Sequence, residues 1–131
     1  MSLLGFAGRA LTGIPFVVLG YDAATSPGMR VDIAAPLLDD VRSVVPIPTD
    51  NDTVVRANGA VQAAGGALIA VGIAPRIAAG AVLASLVPTT LAGHAFWNHE
   101  DEGMRKQQQV QFIKNAALAG GLVSIIAAGR K

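Results

Sequence analysis

The sequence predicts an all-α integral membrane protein, a four-transmembrane-helix up-down bundle with a short amphipathic helix in the first connection. Three observations carry that expectation. The stretch Leu83 to Trp97, LASLVPTTLAGHAFW, is an apolar run holding Pro88, a hydroxyl pair, Gly93 and His94, and it closes on an aromatic pair. A bilayer helix tolerates this combination, because neighbouring helices satisfy the backbone groups that proline frees and tryptophan favours the membrane–water interface. Hydrophobic residues make up 52% of the chain and charged residues only 15%, against about 25% charged in an average soluble domain. All nine acidic residues fall in two segments, Asp22 to Asp52 and Glu100 to Glu102.

The first span is expected over residues 3–21, long enough to cross at a rise of about 1.5 Å per residue. It lacks a basic region ahead of its apolar run and no convincing small-x-small cleavage motif closes it, so a retained helix is expected and not a secretory signal. Arg9 sits about 9 Å inside it. Its long stem can carry the guanidinium back to the headgroups, or the group can find a partner within the bundle. Pro15 leaves the carbonyl of Leu11 unbonded and predicts a mild kink. In the connection that follows, Ala34, Leu37, Leu38, Val41 and Val44 recur at helical spacing, while Asp39, Asp40 and Arg42 point elsewhere. An amphipathic helix over 35–45 is expected to lie on the membrane surface or cap the bundle, with Pro36 in its first turn and Pro46 and Pro48 ending it.

The second span is expected over 54–73, with small-residue pairs Gly59/Ala63 and Gly66/Ala70 suited to close helix contact. A tight turn at Ala74–Pro75–Arg76 leads into the third span, 77–97. Residues 98–110 form a hydrophilic connection, and the fourth span follows over 111–128, carrying the pairs Ala116/Gly120 and Ala117/Gly121. Four spans put both acidic connections on one side of the membrane, and both chain ends and the 74–76 turn on the other. Arg9, Arg76, Arg130 and Lys131 belong to the acid-free side, so the inner (plasma) membrane with both termini cytoplasmic is the expected arrangement.

Polar residues within the spans repeat at one depth. Asn58 and Gln62 begin the second span, His94 ends the third, and Gln111, Lys114 and Asn115 begin the fourth, near Tyr21 and Asp22. Asn58, Gln62, His94, Lys114 and Asn115 are therefore the candidate pocket for a polar headgroup such as a quinone carbonyl. The competing reading takes them as interfacial anchors and helix–helix glue, worth roughly 1 kcal/mol each at most. His94 is the group able to change charge near neutral pH.

Other chemistries find little support. The chain has no cysteine, so it forms no disulfide and supplies no thiolate to an iron–sulfur cluster. Its two histidines, His94 and His99, lie five apart and cannot face each other across one haem. His94, His99, Glu100 and Glu102 lack metal-ligand spacing, Gly65–Gly66 is not followed by a phosphate-loop lysine, and no nucleophile–base set is visible, so no catalytic residue is expected. A net charge of +1 argues against nucleic acid as a partner. The expected partners are the lipid bilayer and other membrane-protein subunits or a second copy of the chain.

Three segments, RANGAVQAAGGALIAVGIAPRIAA (Arg56 to Ala79), SLVPTTLAGHAFW (Ser85 to Trp97) and QFIKNAALAGGL (Gln111 to Leu122), occur in this order. In combination the chain resembles the DoxX family of small bacterial membrane proteins. The resemblance implies a four-helix membrane fold. It also implies kinship with the membrane subunit of a thiosulfate:quinone oxidoreductase, and thus a place as an accessory subunit of a quinone-linked oxidoreductase complex. Without cysteine, any thiosulfate or persulfide chemistry belongs to a partner subunit. The alternatives are a structural membrane scaffold and, behind it, a small transporter component; no acidic residue falls in any span to serve a proton relay.

Overall fold

A computed structural model describes residues 2–128. Five α-helices and one short 3-10 turn account for nearly all of them: α1 (Leu3–Thr25), α2 (Arg30–Arg42), α3 (Asn51–Val71), α4 (Pro75–Gly93) and α5 (Glu102–Ala128), with the 3-10 turn at Phe96–Asn98. No strand occurs among the described residues. The segments Leu3–Thr25, Asn51–Val71, Pro75–Asn98 and Glu102–Ala128 are each long and apolar enough to cross a membrane. Arg130 and Lys131, expected on the acid-free side, lie outside the described residues.

Helix ends follow local chemistry. The Ser2 hydroxyl accepts from the Gly5 amide and starts α1; the Asp50 carboxylate accepts from the Thr53 amide and starts α3. An oxygen at this position satisfies one of the amides that an opening turn leaves unbonded. Between α3 and α4, Gly72 turns left-handed at φ 77° while its amide and that of Ile73 bond back to the last turn of α3. Ala74 is also left-handed, and Pro75 becomes the first residue of α4, where its missing N–H costs nothing. The turn thus occupies residues 72–74, just before the expected position.

Two expectations about the connections are corrected. The helix expected over 35–45 occupies Arg30–Arg42. The chain reverses at Pro27–Gly28, Gly28 taking φ 52°, and the helix begins at once, which places Pro36 in its interior and not in its first turn. Ala34, Leu37 and Leu38 are half-buried toward α3 and α4, whereas Val41 and Val44 face outward. The hydrophilic connection expected over 98–110 is also shorter than read. α5 starts at Glu102, capped by the Asp101 carboxylate, which accepts from the Met104 amide at 3.0 Å. The glutamine run is therefore helical.

The packing is built on small residues. α1 lies most extensively on α3, and Gly13 faces Gly66 and Ala70 while Gly20 faces Gly59 and Ala63. On the next face of α3, Gly65 sits against Val82 and Ala78 of α4. These registers run in opposite directions along each pair, as do Thr90–Asn115 and Arg76–Ile126 between α4 and α5. α1 and α5 touch only thinly, and Gly121 looks toward Thr12 while Gly120 meets open space. The buried core is correspondingly slim: Phe16, Ile69, Ala78, Ala79, Val82, Leu86 and Leu122. Large apolar side chains point outward instead, with Leu3, Leu4, Leu11 and Ile77 75–84% exposed.

Candidate functional site

On α3, Asn58 and Gln62 stand one turn apart and share a face. On α4, Ser85 and Thr89 do the same, and the antiparallel register brings the two pairs together. Asn58 Nδ2 donates to Thr89 Oγ1 at 2.7 Å, and Gln62 Nε2 donates to Ser85 Oγ at 3.0 Å and to Thr89 Oγ1 at 3.2 Å. Ser85 Oγ donates in turn to Asn58 Oδ1 at 2.6 Å, and Thr89 Oγ1 to the carbonyl of Ser85 at 2.9 Å. Close approach at Gly65 lets these short side chains reach. Gln62 and Ser85 are buried, where an unbonded amide or hydroxyl costs about 1–3 kcal/mol. The network is thus an interlocking clamp between two helices.

Asn115 is buried on α5 and donates to Thr90 Oγ1 at 3.0 Å. Thr90 Oγ1 donates in turn to the Leu86 carbonyl at 2.8 Å. His94 follows the last turn of α4, half-buried, and its Nδ1 donates to Gln108 Oε1 at 2.7 Å. In the neutral ring this tautomer leaves Nε2 as an acceptor. Just after it in the chain, Phe96 and Trp97 pack edge to face with each other and with Phe112, at centroid distances of 5.2, 5.5 and 5.8 Å. Lys114 is on the exposed side of α5.

The five candidate residues are therefore distributed over three settings. Asn58 and Gln62 meet in the α3–α4 network, Asn115 bridges α4 to α5, and His94 stands at the end of α4, just before the aromatic pair in the chain, with Lys114 outside. Ser85, Thr89, Thr90 and Gln108 were not among the expected site residues. Ser85 and Thr89 could have been found from their i, i+4 spacing, which matches that of Asn58 and Gln62. Gln108 was concealed by the reading of its segment as a hydrophilic connection outside the spans.

The hydroxyl of Ser85 donates to an amide oxygen, Asn58 Oδ1, and accepts from Gln62 Nε2. Among the described residues no three His, Cys, Asp or Glu side chains form a group able to hold a metal ion. Compared with protein-family models, curated proteins and solved structures, the chain matches none.

Proposed function

We propose that this chain is a multi-pass protein of the bacterial inner (plasma) membrane that serves as a non-catalytic, accessory subunit of a quinone-linked oxidoreductase complex. The observation that carries the reading is the His94 end of the bundle. There the His94 imidazole is oriented by Gln108, and the residues that follow it, Phe96 and Trp97, pack with Phe112 of α5; an imidazole nitrogen and aromatic rings at one end of a bundle suit a quinone carbonyl and ring. The likeness of residues 56–122 to the DoxX family supports the same place in a redox complex. In this arrangement α1, α3, α4 and α5 cross as an up-down bundle, α2 lies as an amphipathic helix on the membrane surface, and Trp97 marks the interface. The glutamine-rich start of α5 stands outside the hydrocarbon, and both termini are cytoplasmic.

His94→Ala and Gln62→Ala variants of the complex purified from native membranes test the pocket. Quinone affinity is expected to fall with His94→Ala, and unchanged affinity in both variants removes the pocket.

A structural scaffold is the second reading, favoured by the closed Asn58–Gln62–Ser85–Thr89 network, which spends its polar groups on helix pairing. Native mass spectrometry separates the two. Co-purification with a flavin or iron–sulfur subunit supports the accessory role, and a homo-oligomer without cofactor supports the scaffold.

A further inference from the structure

Gln108, Phe112 and Asn115 stand at i, i+4 and i+7 on α5 and so share one face of it. Each meets the end of α4 or the turn that follows. Gln108 bonds His94, Phe112 packs edge to face with Phe96 and Trp97, and Asn115 bonds Thr90. His94 and Thr90 are themselves one turn apart, so the polar contacts and the rings lie along a single seam between the two helices. The Gln108 atom that meets His94 is Oε1, at 2.7 Å from Nδ1. An amide oxygen only accepts, so the proton of the neutral imidazole sits on Nδ1, and Nε2 is left with a lone pair. Asn115 gives an N–H to Thr90 Oγ1, and its Oδ1 remains an acceptor. Among the described residues no donor reaches His94 Nε2 or Asn115 Oδ1. The amide nitrogen of Gln108 keeps its own N–H groups, so the seam offers donors and bare acceptors together.

We propose that this seam binds the reduced, hydroquinone form of a quinone in preference to the oxidised form, with a ring hydroxyl donating to His94 Nε2. A hydroxyl both donates and accepts, so it serves the bare ring nitrogen and an amide N–H alike, whereas a carbonyl only accepts. A carbonyl in the same place would set its lone pairs against that of Nε2, and it meets this nitrogen only once Nε2 carries a proton. Such a mismatch costs the bond and leaves a desolvated acceptor unpaired. Ring packing does not discriminate, since both forms present a flat six-membered ring to aromatic neighbours such as Phe112. The choice between them therefore falls to the hydrogen bond. Gln108 is a positioning residue here, because its oxygen fixes which imidazole nitrogen is bare. The inference rests on the His94 pocket proposed above and adds to it the redox state that the pocket holds.

Anaerobic titration of the full chain in lipid nanodiscs, with a decyl-substituted hydroquinone and with the matching quinone, tests the proposal. The single tryptophan of the chain, Trp97, belongs to the ring cluster and reports occupancy by its fluorescence. Midpoints are compared and not amplitudes, because the two forms quench unequally. Wild-type protein is expected to bind the hydroquinone about tenfold more tightly than the quinone, the scale of one hydrogen bond replaced by an unpaired acceptor. The dimethyl ether of the hydroquinone keeps the ring and loses both O–H donors, and it is expected to bind no better than the quinone. Gln108→Leu frees the imidazole to take either tautomer and is expected to bring the two midpoints together, whereas Gln109→Leu, on the exposed side of α5, keeps them apart. Quinone bound as tightly as hydroquinone by wild type overturns the inference whether or not the variants fold, and leaves the pocket standing. A preference that survives in folded Gln108→Leu, or tight binding of the dimethyl ether, also overturns it. Binding of neither form by wild type refutes the pocket and the inference together.

Discussion

Gly66→Ala probes the contact on which the bundle is built. A Cβ at Gly66 would lie 2.5 Å from the Gly13 carbonyl oxygen, 2.9 Å from Phe16 Cβ and 3.0 Å from the Val17 nitrogen, where ordinary contact begins at 3.4 Å. All three atoms belong to the α1 backbone or are fixed directly to it, so no flexible side-chain tip can move aside. α1 must instead withdraw by about 1 Å from the helix on which it packs most extensively. Overpacking of this kind costs about 1–3 kcal/mol. Gly80 supplies the control, since a Cβ there meets nothing within 4 Å. Gly80→Ala removes a poor helix former worth about 1 kcal/mol and is expected to leave stability equal or slightly raised. Unfolding in mixed micelles titrated with SDS, followed by far-ultraviolet circular dichroism, reads both variants against wild type. Gly66→Ala and Gly80→Ala unfolding at the same SDS fraction would refute the close α1–α3 contact. Gly13→Ala, which presses on the same place from the other side, is expected to be non-additive with Gly66→Ala, because one separation accommodates both.

Three further outcomes follow from the polar and charged groups. A double-mutant cycle of Gln62→Leu and Ser85→Ala is expected to give a coupling of about 0.6 kcal/mol, typical of side-chain bonds between membrane helices; zero coupling would mean that the α3–α4 clamp adds no stability. Cysteines placed singly at Asp39 and Asp101 are expected to react with an impermeant maleimide from the same flank of the membrane, and labelling from opposite flanks would break the four-span topology. The Thr53 hydrogen bonds, side-chain and backbone, hold the Asp50 carboxyl below its ordinary value, with Arg42 adding a smaller pull. A carboxylate lowered in the folded state contributes stability that is complete above its unfolded value and lost as pH falls through the lowered one. Hydrogen-exchange protection of the Thr53 amide should therefore decline only at the acid end of that window, and Asp50→Asn should abolish the decline; a protection factor flat across it in wild type would contradict the cap.

The four apolar helices were legible because their signal is compositional: Leu, Val, Ile, Ala and Gly in runs with few charges need no knowledge of neighbours to be recognised. The pairs Gly59/Ala63 and Gly66/Ala70 were legible for a related reason, since a small residue every fourth position marks one face of one helix. Their partners Gly13 and Gly20 were not, because a spacing of seven on α1 acquires meaning only when α3 lies against it. Gly120 shows the converse, a small residue in a promising pair that packs against nothing.

Depth along the bilayer can be counted from sequence, and it put Asn58, Gln62, His94, Lys114 and Asn115 at one level. Direction around the helix axis cannot be counted so simply. Each residue turns its side chain by about 100° from the last, so residues at equal depth can face a neighbour, a different neighbour or the outside. That rotation decided which polar groups interlock through Ser85 and Thr89, which bridge to α5 and which, like Lys114, look away. It also decided that Gln108, Phe112 and Asn115 turn one face of α5 toward the end of α4. Composition and hydropathy by themselves determined that the chain folds as long apolar helices; the tertiary structure alone decided which faces meet, because contact depends on rotation and register, which a one-dimensional pattern of apolar residues leaves open.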